Sequence, residues 1–176
     1  MKKLRLFFLS LLLSLSTPSI ILAQTSTIES INKILNNCSD ALCFSNKSMR
    51  PDGGNICCTN KRSLKFNETK TELIFTQKHI NSKNNKLVET FVTKMKIKDI
   101  DFDDIKIAGY GSDNEKSVIL STKEKKKTFV TSCQGEACID AISYGDNMGF
   151  NFGPDCVDEN QHKKLVDLLK KLNGDK

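Results

Sequence analysis

Histidine is almost missing from this sequence. His79 and His162 are the only two in 176 residues, so a histidine-rich metal centre is excluded. Any Cys–His nucleophile has only these two bases to draw on. His162 stands six positions after Cys156, but no third group is placed to orient such a pair. It reads instead as a solvent-facing residue of a closing helix. Cys-x-x-Cys spacing is also missing, which counts against a thioredoxin-type redox pair and against zinc knuckles. The Gly-rich stretch "GYGSD" has no Lys-Ser/Thr ending and no helix behind it, so it is not a phosphate loop. Asp99, Asp101, Asp103 and Asp104 begin like a calcium loop. Asp104 stands where the invariant glycine belongs and Tyr110 where the closing glutamate belongs. Solvent-facing carboxylates at a strand bend account for the run. There is no internal repeat and no linker. After the first 23 residues no run is apolar and long enough to span a bilayer.

What is present begins with a leader. Met1 to Arg5 is basic, an apolar run follows with a late Pro18, and Ala23 precedes Gln24. That order is the pattern of a secretory signal peptide over residues 1–23. It predicts export to the periplasm or the extracellular space, with no stable membrane anchor after cleavage. Removing Lys2, Lys3 and Arg5 lowers the formal charge from +6 to +3. So small a charge, in an exported chain, argues against a nucleic-acid partner. The remaining residues amount to one domain.

All seven cysteines follow the leader: Cys38, Cys43, Cys57, Cys58, Cys133, Cys138 and Cys156. In an oxidising compartment several cysteines in one small domain point to disulfides, and an odd count leaves one thiol over. Cys133 and Cys138 enclose "QGEA", a glycine-containing turn between strand-like runs. Residues facing each other across a hairpin lie within bridging distance, which predicts a Cys133–Cys138 bond. Cys38 and Cys43 are read on a helix. Five positions turn it by about 500°, so the two thiols diverge and each needs a partner elsewhere. Cys57 and Cys58 are the nearest supply, and "ICC" is expected to staple the first helix to the start of the sheet. Which cysteine takes which partner stays open, and Cys156 is left as the free-thiol candidate. Four thiolates from Cys38, Cys43, Cys57 and Cys58 around zinc are the competing reading, disfavoured by spacing and by oxidation.

The patterning predicts α+β architecture. A capping box, Ser26-Thr27-Ile28-Glu29, opens a helix with Ile28, Ile31, Leu35, Cys38 and Leu42 on one face, running to about Cys43. Residues 24–60 are taken as this helix and a Cys-rich connection, and residues 61–176 as a β-rich part. There "TELIFTQ", "LVETFVTKMKIKDI", "DFDDIKIAGYG", "SVILST", "KTFVTSC", "ACIDAIS" and "GFNF" supply about seven antiparallel strands, in a sheet or small barrel. "KEKK" reads as a charged hairpin tip. Asp158 is the N-cap of a closing helix with a Leu165, Leu168, Leu169, Leu172 stripe.

Meandering strands closed by one amphipathic helix resemble the pleckstrin-homology-like barrel of small exported bacterial domains. The pieces that carry the resemblance are "TFVTSCQGEACIDAIS", "MGFNFG" and "HKKLVDLLKKL", within about Arg62 to Leu172. The chain departs from true pleckstrin-homology domains in having no tryptophan for the closing helix. Lys61, Arg62 and Lys65 are similar to a phosphoinositide-binding cluster, but an exported chain does not meet that lipid. A cystatin-like fold is the runner-up. The expected function is a disulfide-stabilised binding module without cofactor or catalytic site, taking a protein or small ligand outside the cytoplasm. The alternatives are a thiol-dependent redox protein or a disulfide-linked dimer, either through Cys156, and a secreted enzyme inhibitor.

Overall fold

A computed structural model describes residues 23–37, 41–45, 55–109, 116–135, 138, 141–152 and 158–174. The side chains of residues 41–45 and 55–57 fall outside that description, as do residues 1–22 of the expected leader, Cys38 and Cys156. The architecture is α+β. Helix α1 covers residues 23–36, and nine strands and helix α2 follow. The strands are β1 (Ala41–Ser45), β2 (Asn55–Phe66), β3 (Glu72–Asn81), β4 (Leu87–Lys96), β5 (Ile100–Gly109), β6 (Lys116–Thr122), β7 (Phe129–Gly135), β8 (Ile142–Gly145) and β9 (Asn147–Phe152). Helix α2 is Glu159–Lys171.

The strands form two antiparallel sheets, six strands in the order β1-β2-β3-β4-β7-β8 and three in the order β5-β6-β9. They do not close into a barrel. The sheets pack face to face, and Phe75 of β3 meets Phe150 of β9 edge-on with ring centroids 5.0 Å apart. Leu64, Leu73 and Met95 from the large sheet join Ile100, Val118 and Leu120 from the small one in a single core. Both helices feed it: α1 through Ile28, Ile31, Ile34 and Leu35, and α2 through Leu165, Leu169 and Leu172.

The chain passes between sheets three times, always at the same end. Turns at Ile97–Asp99 and Lys123–Lys125 carry β4 into β5 and β6 into β7. Asp146 carries β8 into β9, and its carbonyl accepts from Thr122 N–H at 2.8 Å. "KEKK" is therefore not a hairpin tip. It is a corner between sheets, with Glu124 and Lys125 at positive φ.

Two of the nine strands, β1 and β2, were not expected from the sequence. Helix α1 does not continue to Cys43. It stops by residue 37, and Cys43 lies in β1. Strand β2 runs through "NICCTNKRSLKF" without a break at residue 60. Its inner face carries Cys58, Asn60 and Arg62 before Leu64, all buried. Polar residues on a buried face break the apolar alternation by which strands are recognised. Ser26 is not a cap either: the helix is formed by residue 23, and the Ser26 hydroxyl donates to Ala23 O at 3.0 Å. Among the described residues "ACIDAIS" joins the β7–β8 ladder at Ile142, and Ala141 O accepts from Cys133 N–H at 3.2 Å. At α2 the expected N-cap holds, with Asp158 Oδ1 accepting from Gln161 N–H at 2.7 Å.

Candidate functional site

The inner face of the large sheet changes character along the strands. At one end Leu64, Leu73, Phe75 and Met95 form core. Toward the other end ladder register aligns Arg62 with Gln77 and Phe91, and Asn60 with His79 and Glu89. Cys133 of β7 stands opposite Phe91, and Gly135 opposite Glu89. One buried polar cluster results, drawn from four strands.

At its centre is an imidazole–carboxylate pair. His79 Nδ1 lies 2.5 Å from Glu89 Oε1, and both side chains are largely buried. The amide nitrogen of Gln77 stands 2.7 Å from His79 Nε2. An amide nitrogen only donates, so Nε2 accepts and Nδ1 carries the proton given to Glu89. Glu89 Oε2 points the other way, 3.8 Å from Cys138 Sγ. The Cys133 and Cys138 sulfurs and the Glu89 carboxylate all lie within 4.8 Å of one another. Asn60, 4% exposed, has no hydrogen-bond partner for either side-chain atom among the described residues.

The expected Cys133–Cys138 bridge is present, with Cα atoms 5.6 Å apart. Cys58 is the one free cysteine among the described residues and is 1% exposed. Burial pushes its thiol pKa up, and the Glu89 charge pushes it further in the same direction. A thiol so placed is a poor nucleophile. Cys43 and Cys57 are direct partners in the β1–β2 ladder. "ICC" thus lies beside strand β1 in the backbone ladder, and Cys43 is on that strand, not on the first helix. His162, read as solvated, is buried: its ring meets Phe152 edge-on at 5.2 Å, and Nδ1 lies 2.9 Å from Asp158 O. On the acidic run, Asp101 Oδ1 accepts from the Asp103 and Asp104 amides at a bulge of β5, and Asp104 pairs with Lys106. Hydrogen bonding from Lys106 holds the Asp104 carboxyl below the usual carboxylate range.

The outer face of the large sheet is different. Strand alternation puts Lys61 and Lys65 of β2, Lys78 of β3, and Lys94 and Lys96 of β4 together there, all exposed. Arg62, by the same alternation, points inward, where its guanidinium lies 5.6 Å from the Phe152 ring centroid. Glu72 is the single carboxylate among the outward residues of β2, β3 and β4. Beside Glu72 and Lys96 the face opens into a cleft of about 570 Å³, lined also by Lys70, Thr71, Ile97 and Lys98. At the opposite margin, edge strand β8 exposes Ile142 and Tyr144 by 62% and 63%.

Sequence reasoning singled out Lys61 and Lys65 beside Arg62, but missed that the two lysines share one sheet face with Lys78, Lys94 and Lys96. It missed the His79–Glu89 pair altogether, although their ten-residue spacing across the "NSKNN" loop is that of hairpin partners. No protein-family model, curated protein or solved structure matches this chain.

Proposed function

We propose that the protein is an exported, disulfide-stabilised binding module whose outer sheet face takes an acidic protein partner. The observation that carries this reading is the field of five exposed lysines running into a basic cleft. None of the five is in an ion pair among the described residues. A surface of one charge sign attracts and orients a partner of the other sign. The cleft offers the exposed Lys96 and Lys98 to a carboxylate, and Ile142 and Tyr144 supply apolar contact at the rim. Export rests on the leader pattern of residues 1–23. The Cys133–Cys138 bridge suits an oxidising compartment.

Immobilised poly-glutamate tests the surface. The secreted protein should be retained at low salt and released as ionic strength rises. Lys65→Glu/Lys78→Glu/Lys94→Glu should abolish retention with an unchanged circular dichroism spectrum. Reversing Lys163, Lys170 and Lys171 on α2 controls for net charge. Equal loss from both sets would overturn the assignment to the sheet face. Intact mass of the exported protein, read for loss of residues 1–23, tests the leader.

A further inference from the structure

We propose that Cys133, Cys138 and Glu89 form a redox-gated site for a zinc-class divalent cation, closed while the disulfide stands and opened by reduction. The placement is built into the backbone. Gly135 has φ +142°, and a Cβ there would come within 2.4 Å of Val88 O and 2.7 Å of Glu89 Cα. Only glycine lets the cysteine-bearing loop lie this close to β4. The three ligand groups then converge within 4.8 Å. Two thiolates on tetrahedral zinc sit about 3.8 Å apart, given Zn–S bonds of about 2.3 Å. Cα atoms 5.6 Å apart serve that separation as well as they serve the bridge.

The carboxylate is already oriented for the task. Oε1 is held by His79 and Oε2 faces the sulfur of Cys138. Gln77 fixes the far side of the imidazole. A ligating carboxylate braced by an outer hydrogen bond is the usual second layer of a metal site. Three protein ligands leave a fourth position for water. Two thiolates and one carboxylate favour zinc over calcium or magnesium, which take oxygen donors. The chemistry balances with a dithiol as reductant. The dithiol becomes a cyclic disulfide, Cys133 and Cys138 become thiols, and Zn²⁺ displaces their two protons to solvent.

Zn²⁺ binding is measured by competition with a chromophoric chelator on the full chain, oxidised and dithiol-reduced, with Co²⁺ spectra reporting thiolate ligation. The reduced protein should bind at least one equivalent that the oxidised protein does not. Cys133→Ser/Cys138→Ser should lose one equivalent, which separates this site from metal held by other cysteines. Glu89→Gln, which leaves every thiol in place, should weaken that equivalent on the order of tenfold and keep the thiolate bands. No gain of zinc on reduction, the same stoichiometry in the double serine variant, or unchanged affinity in Glu89→Gln would each overturn the proposal.

Discussion

Cys58 shows how little a residue type says until its surroundings are known. Paired with Cys57 in the sequence, it looks like half of a reactive or bonded unit. In the fold it is sealed under the polar end of the inner face. Burial, and then the Glu89 charge, make its thiolate harder to form than in the unfolded chain. The sign follows directly. The folded protein holds this proton more tightly, so the contribution to stability is complete below the ordinary thiol pKa of about 8.5. It is lost as pH rises from there through the higher folded-state value. Urea titrations between pH 7 and 10 should show a steeper alkaline loss of stability for wild type than for Cys58→Ala. Native protein should leave Cys58 unlabelled by iodoacetamide, whereas denatured protein labels it fully. His162 teaches the same lesson from the other side: with no third group to orient it, it reads as a solvent-facing helix residue, yet the ring packs on Phe152.

At the scale of elements, α1 does more than fill the core. Among the described residues, β1 pairs with β2 as far as Thr59, and Arg62 and Leu64 have no strand beside them on that side. Asn32 and Asn36, one turn apart on α1, close it. The Asn32 carboxamide takes Leu64 N–H at 2.6 Å and donates to Leu64 O at 2.9 Å. Asn36 does the same for Arg62, at 3.2 and 2.7 Å. Each side chain stands in for one residue of a missing strand. Asn32→Ala strands two backbone groups and should cost about 1–3 kcal/mol. It should also raise self-association in light scattering, because an uncovered edge pairs with other chains. The β1–β2 register makes a second prediction. Facing positions in an antiparallel ladder sit about 4.5–5.5 Å apart at Cα, within bridging range. Peptide mapping without reduction should find Cys43 bonded to Cys57, with Cys58 as a free thiol. Legibility differed sharply between elements. Helix α2 was readable to its cap because its leucines repeat at helical spacing and Asp158 has one use there. Strand β2 was not, because its inward positions hold Cys58, Asn60 and Arg62, and no local rule marks polar residues as buried.

For the whole molecule, α+β class and helices at both ends were legible from the order of periodic segments. The division into two sheets was not. It depends on where the chain turns a corner: Ile97–Asp99 reads as more of the β4 strand, and Lys123–Lys125 reads as a hairpin tip. Three crossings at one end and a shared core tie the sheets into one cooperative unit. Leu169→Ala should therefore lower stability by about 2–5 kcal/mol. Far-ultraviolet and near-ultraviolet unfolding transitions should stay coincident, as expected for a single two-state domain. The asparagine clasp of α1 also has a meaning in time. Its partners are separated by 26 and 32 residues, and the helix comes first. A chain emerging amino terminus first carries the guard before it makes the edge to be guarded. The longest strand is thus shielded early, while α2 and the small sheet still wait for the last third of the polypeptide.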